Sequence, residues 1–156
     1  MSKVTLRRLD IMDLPFLVEV ESHPEVVQYH LADTPVPSAD DLAAYIEREG
    51  DFDTDLQIRY VICSDTRPVG FIDLFDADFN AQLAHVGIII DSPFRSQGKG
   101  YLALKLLMDK AREWGLKSLK AEVYTHNQAS YRLFTKSGFK EISRSDSSVC
   151  LAYKLD

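Results

Sequence analysis

After the apolar run Ile88-Ile89-Ile90 the chain reads Arg95-Ser96-Gln97-Gly98-Lys99-Gly100, an Arg-x-x-Gly-x-Gly spacing with a definite physical use. Glycines remove side chains, so consecutive backbone N–H groups can turn toward an anion. A helix starting at this point would add its N-terminal dipole. Arg95 and Lys99 supply full charges suited to phosphate oxygens. The same spacing also serves a strand-to-helix turn that holds nothing. It is not a Walker loop, which needs Gly-Lys-Ser/Thr, nor a dinucleotide fingerprint, which needs a third glycine.

Two further groups could take part in chemistry. His85, in Ala84-His85-Val86-Gly87-Ile88, carries an imidazole that can exchange a proton near neutrality, although a lone strand histidine is also commonly structural. Carboxylates crowd the N-terminal half. Residues 1–80 hold 6 Lys/Arg against 17 Asp/Glu, and residues 81–156 hold 12 against 7. Such a division keeps a protein soluble, and it also suits a molecule that meets a cation on one side and an anion on the other.

These groups need elements to hold them. Val4–Leu9 alternates as a strand. Asp10, with Asp13 three residues on, reads as a capping box before a helix over Leu14–Val20. Ser38 caps a second helix, with Asp40 and Asp41 in its first turn and Leu42, Tyr45 and Ile46 on its inner face. Ile58–Ser64 and Val69–Phe75 read as a hairpin about Arg67-Pro68, and Asp76–Asn80 as a turn. Ala84–Asp91 is too uniformly apolar for a one-sided strand and is expected at the centre of a sheet. The clearest helix follows the glycine loop, with Ala103, Leu107, Ala111 and Trp114 at helical spacing beside Leu102 and Leu106, and Gly115 at its end. A strand over Leu119–Tyr124, a helix over Asn127–Ser137 and strands over Phe139–Ile142 and Val149–Leu155 complete the chain. The expectation is one α/β domain over residues 1–156, a mixed, mostly antiparallel sheet of about seven strands with four helices.

The 156-residue length fits a single domain. No stretch approaches the roughly 18 consecutive apolar residues of a membrane span, and no apolar region follows the basic N-terminus as in a secretory signal. Cys63 and Cys150 lie in strand-like runs and read as free thiols of a reducing compartment, so a cytoplasmic protein is expected. A net charge of −6 with no basic arm argues against nucleic acid. No residue is assigned to a metal.

The loop, together with Asn127-Gln128-Ala129-Ser130-Tyr131-Arg132-Leu133-Phe134 and Gly138-Phe139, resembles the two signature segments of the GNAT N-acetyltransferase superfamily. Leu6-Arg7-Arg8-Leu9-Asp10, Asp13-Leu14 and Pro68-Val69-Gly70-Phe71-Ile72 are similar to its branch of spermidine/diamine and ribosomal-protein acetyltransferases. The resemblance covers essentially the whole chain. It implies acetyl-CoA as acetyl donor, with the pantetheine paired to the backbone of Ile88, Ile89 and Ile90. The pyrophosphate would lie on Arg95, Ser96, Gln97, Gly98, Lys99 and Gly100. Asn127 would contact the pantetheine, with Ser130 and Lys136 near the cofactor's far end. Asn127 is equally a sound helix N-cap.

His85 stands where relatives commonly carry the glutamate invoked as base. Phe134 stands where many carry a tyrosine that protonates the leaving thiolate. Phenylalanine cannot do this, which leaves Tyr131, one turn earlier, or Tyr124, or no acid at all. The acceptor is expected to be a cationic amine, a polyamine or diamine, approaching past Glu21, Glu25, His30 and Asp73. The basic N-terminus of a ribosomal protein is the alternative acceptor, and a non-catalytic CoA-binding module the alternative class. Relatives are often homodimers.

Overall fold

The computed structural model describes residues 3–24, 37–48 and 52–156. Seven strands form one open sheet: β1 (Val4–Arg8), β2 (Ile58–Ser64), β3 (Arg67–Asp78), β4 (Leu83–Ile90), β5 (Ser118–Tyr124), β6 (Lys140–Arg144) and β7 (Ser148–Lys154). Their order across the sheet is β1-β2-β3-β4-β5-β7-β6. Every pairing is antiparallel except β4 with β5, which run parallel. The described helices are α1 (Leu14–Ser22), α2 (Ala39–Arg48), α3 (Phe52–Asp55), α4 (Lys99–Glu113) and α5 (Gln128–Lys136). The one-turn α3 is additional to the four expected. It seats Phe52 in the core against Phe79 and Trp114.

Strand alternation sorts side chains onto two faces. Ile58, Tyr60, Ile62, Ile72, Leu74, Ala84 and Val86 pack on one face under α4 and α5. Val61, Cys63 and Phe71 pack on the other, against Leu17 and Val20 of α1 and Leu42 and Ile46 of α2. In α4 the inner stripe is Ala103, Leu104, Leu107, Met108 and Ala111. Leu102 lies outside that stripe and is 46% exposed. Both cysteines are free thiols. Among the described residues no helix is long and apolar enough to cross a membrane.

Local chemistry starts the helices as expected. The Ser38 hydroxyl accepts from Asp41 N–H at 3.1 Å, while the Asp41 carboxylate accepts from Ser38 N–H at 3.2 Å. The Asp10/Asp13 box is present, but it encloses a single 3₁₀ turn (Ile11–Asp13) ahead of α1. Asp13 is buried and takes both Arg7 Nη1 and Nη2, at 2.9 and 2.7 Å. Burial alone would raise its carboxyl; the Arg7 hydrogen bonds and the Asp10 N–H outweigh that and lower it. A lowered folded-state value stabilises the fold above the unfolded carboxyl's range, and that stability is lost as pH falls through the folded value. Asp13→Asn should therefore cost about 1–3 kcal/mol at neutral pH. Urea melts at neutral and acid pH should show the gap closing on acidification; a gap independent of pH would refute the assignment.

Candidate active site

β4 holds its parallel partner over a short stretch only. Leu83, Ala84 and His85 register with Ser118, Leu119 and Lys120, and there the pairing stops, although β3 stays paired to β4 as far as Ile90. From Val86 onward β4 and β5 diverge and leave a V in the middle of the sheet. Ala84 and Val86 are buried, yet Ile88, Ile89 and Ile90 are only half-buried. Their apolar run predicts a fully covered strand; the departure of β5 uncovers it. A strand that keeps one neighbour and loses the other presents main-chain donors and acceptors along its free edge. An extended ligand with amide groups could pair with them.

The V opens toward the glycine loop. Asp91 caps a 3₁₀ turn (Ser92–Phe94), which leads into the loop. Arg95 Nε donates to the Ile90 carbonyl at 2.8 Å, tying the loop to the end of β4. Gln97 Nε2 donates to the Pro93 carbonyl at 3.3 Å, and Gln97 Oε1 accepts from Lys99 Nζ at 2.7 Å. Ser96 and Gly98 both take positive φ, 60° and 79°. Gly98 is the N-cap of α4 and has no side chain to satisfy that helix's first N–H groups. They stay available to an anion, which the helix dipole also favours. Gly100 lies inside the first turn. A Cβ there would come within 3.3 Å of Leu133 Cδ2 and 3.7 Å of Ile88 Cδ1, so the glycine keeps open a passage between β4 and α5.

At the start of α5, Asn127 Oδ1 accepts from Ser130 N–H at 3.2 Å, so the side chain is a working N-cap. Lys136, at the other end of α5, holds Nζ 5.0 Å from the Tyr101 ring centre. Phe134 is buried and packs edge-on against Phe139, with centroids 5.0 Å apart. Tyr131 donates its hydroxyl to Glu141 Oε1 at 3.2 Å, on the side of β6. Tyr124 stacks on His126 at 5.4 Å.

The opposite face of β3 and β4 carries the charged groups. His85 lies against Phe75, its cross-strand partner, at 5.7 Å between ring centres. Its Nδ1 is buried and has no hydrogen-bond partner among the described residues. Glu21 and Asp73 come together here, joined by a residue that sequence reasoning missed. Arg59 Nη1 donates to Glu21 Oε1 at 2.9 Å, and Nη2 stands 3.7 Å from Asp73 Oδ2. Burial works against the Arg59 charge, but Asp73 and Glu21 hold its pKa above the usual arginine value. Burial likewise pushes Asp73 up, against the pull of Arg59. One signal was available: Arg59 is the single charge within the apolar run Ile58–Cys63. Glu25 and His30 lie outside the described residues. The loop, the V and the pair Glu21/Asp73 thus gather around β4, whereas Tyr131 packs with α5 on the other face from His85.

A profile of the acetyltransferase (GNAT) domain family matches residues 3–140. A putative phosphinothricin acetyltransferase of Bacillus subtilis is 40% identical over 58 residues, 37% of this chain and 36% of that protein. An N-acetyltransferase of the same organism is 37% identical over 49 residues, 31% of each. The chain thus spans about a third of the length of the curated relatives it matches. In three dimensions the chain is similar to the Vibrio cholerae spermidine N-acetyltransferase in complex with CoA and spermine. That match has a TM-score of 0.85 and 19% identity, and it covers 97% of this chain and 95% of that one. It is also similar to RimL, a ribosomal L7/L12 alpha-N-protein acetyltransferase in complex with coenzyme A. There the TM-score is 0.83 with 19% identity over 98% and 94% of the two chains. At these identities the likeness concerns the fold.

Proposed function

Because the chain belongs to the GNAT acetyltransferase family, we propose that it transfers acetyl from acetyl-CoA to a primary amine of a polyamine or diamine. The transfer is a direct attack within a ternary complex. One observation carries this reading: β4 loses β5 after His85 while its far end meets an uncapped helix N-terminus. An anion with an amide-bearing arm matches both features. In this reading the pyrophosphate lies on Arg95–Gly100 and the pantetheine pairs with Ile88–Ile90. A backbone N–H of that stretch faces the thioester carbonyl and steadies its developing oxyanion. Asn127, Ser130 and Lys136 follow the cofactor along α5.

The amine arrives from the face of α1 and α2, where Glu21 and Asp73 favour a cation. His85 lines the route by which its proton reaches water. On the leaving side Phe134 offers nothing, and Tyr131 would have to give up Glu141. A coenzyme A thiolate, with a thiol pKa of about 8.5, can depart without a donor. The polyamine assignment draws support from the acidic N-terminal half and from the likeness to the spermidine enzyme.

The test follows thiol release from acetyl-CoA with spermidine, spermine, diamines and a basic peptide with a free N-terminus. Release with the polyamines or diamines is expected. Release with the peptide alone would move the acceptor to protein N-termini. Binding of acetyl-CoA without release for any amine would leave a binding module in place of an enzyme.

A further inference from the structure

Resting on that reading, we propose that Asp73 is the group that receives the acceptor ammonium and takes its proton, and that Gly87 is a glycine in order to give that carboxylate its place. Asp73 on β3 is directly opposite Gly87 on β4. A Cβ on Gly87 would stand 2.6 Å from Asp73 Oδ1, so the carboxylate lies across the β4 backbone in space that any other residue would fill. Gly87 is two residues past the last β4–β5 pair, inside the V and beside the strand segment that would hold the thioester.

The rest of the cluster presents Asp73 in one direction. Its Oδ2 is turned to Arg59 at 3.7 Å, an ion pair without a hydrogen bond, while Glu21 takes the direct bond to the same guanidinium at 2.9 Å. Glu21 on α1 is thereby committed to the guanidinium, whereas Asp73 makes only the longer contact with it. The groups that face Asp73 are Arg59 from β2, Glu21 from α1 and Tyr45 of α2 beneath the guanidinium, with His85 two pairs further along β4 on the same face of the sheet. Burial raises the Asp73 carboxyl above the ordinary range, which brings its proton affinity closer to that needed for exchange with an amine.

The step balances as follows. The ammonium gives one proton to Oδ1, and the freed lone pair attacks the acetyl carbon. The N–C bond forms, the C–S bond breaks, and its electron pair leaves on sulfur. The adduct's second N–H proton neutralises the thiolate. Asp73 returns the first proton to solvent, past His85.

The experiment follows kcat and acetyl-CoA binding against pH for the full-length chain, with the best amine of the panel. Asp73→Asn should lower kcat about a hundredfold near neutrality, leave acetyl-CoA binding unchanged, and erase the acid-side inflection of the profile. The remaining rate should then climb with pH toward the amine's own ionisation. Asp73→Glu should keep an inflection, and so should His85→Ala. Retention of the inflection and most of kcat in Asp73→Asn would overturn the assignment, as would its loss in His85→Ala instead. If Asp73→Asn fails to fold, Gly87→Ala poses the same question by displacing Oδ1; an unaltered profile there also overturns it. A wild-type protein silent toward every amine would instead bring down the amine-transfer reading, and the assignment with it.

Discussion

Gly100→Leu is expected to weaken acetyl-CoA binding about a hundredfold, roughly 3 kcal/mol, without unfolding the protein. Gly100 sits in the first turn of α4 where Leu133 and Ile88 approach from either side, at 3.3 and 3.7 Å from a would-be Cβ. The proposed passage for the pantetheine runs between these two side chains. Four added carbons would occupy it. The helix itself gains, since leucine is a better helix former than glycine by somewhat under 1 kcal/mol. Titration calorimetry with acetyl-CoA and a thermal melt on one sample separate the outcomes. Wild-type affinity in the folded variant would place the cofactor elsewhere.

The second large effect is expected at Gly70, on β3 opposite Ile90. A Cβ there would overlap the Ile89 carbonyl oxygen and stand 3.0 Å from Ile90 Cα. Both obstacles are main chain, in the strand that forms one wall of the V, so neither can move without disturbing the ladder. Gly70→Ala should destabilise the fold by about 3 kcal/mol or more, a fall in melting temperature on the order of 10 °C. Unlike Gly100→Leu, it should lower stability and ligand affinity together. An unchanged melt would mean that β3 and β4 can separate at this point at little cost.

Features declared by local chemistry were legible in the sequence. The glycine loop, the helix after it, the Asn127 cap and the Ser38 cap each depend on a few adjacent residues, and each is present. What depends on register was not. Arg59, Asp73 and Gly87 form one row across three strands, and residues so far apart in the chain reveal that row only once the strands are aligned. The acidic run after Phe75 reads as a turn by composition. β3 instead continues to Asp78, because Asp76 adopts a φ of 47° and a register shift absorbs the irregularity. Ile88–Ile90 reads as buried, since nothing in an apolar triplet announces that a neighbouring strand will diverge.

That divergence has a bearing on durability. Among the described residues, the ladder that joins the β1–β4 half of the sheet to the half made of β5, β7 and β6 has three registered pairs. A cofactor arm lying in the V would act as a splint between two flaps, supplying rungs that the polypeptide lacks. Any ligand that binds only the folded form adds about 2.7 kcal/mol of stability at a hundredfold excess over its dissociation constant. The donor metabolite would then govern how long the protein survives as well as how fast it works, and a depleted supply would leave the empty chain easier prey for proteolysis.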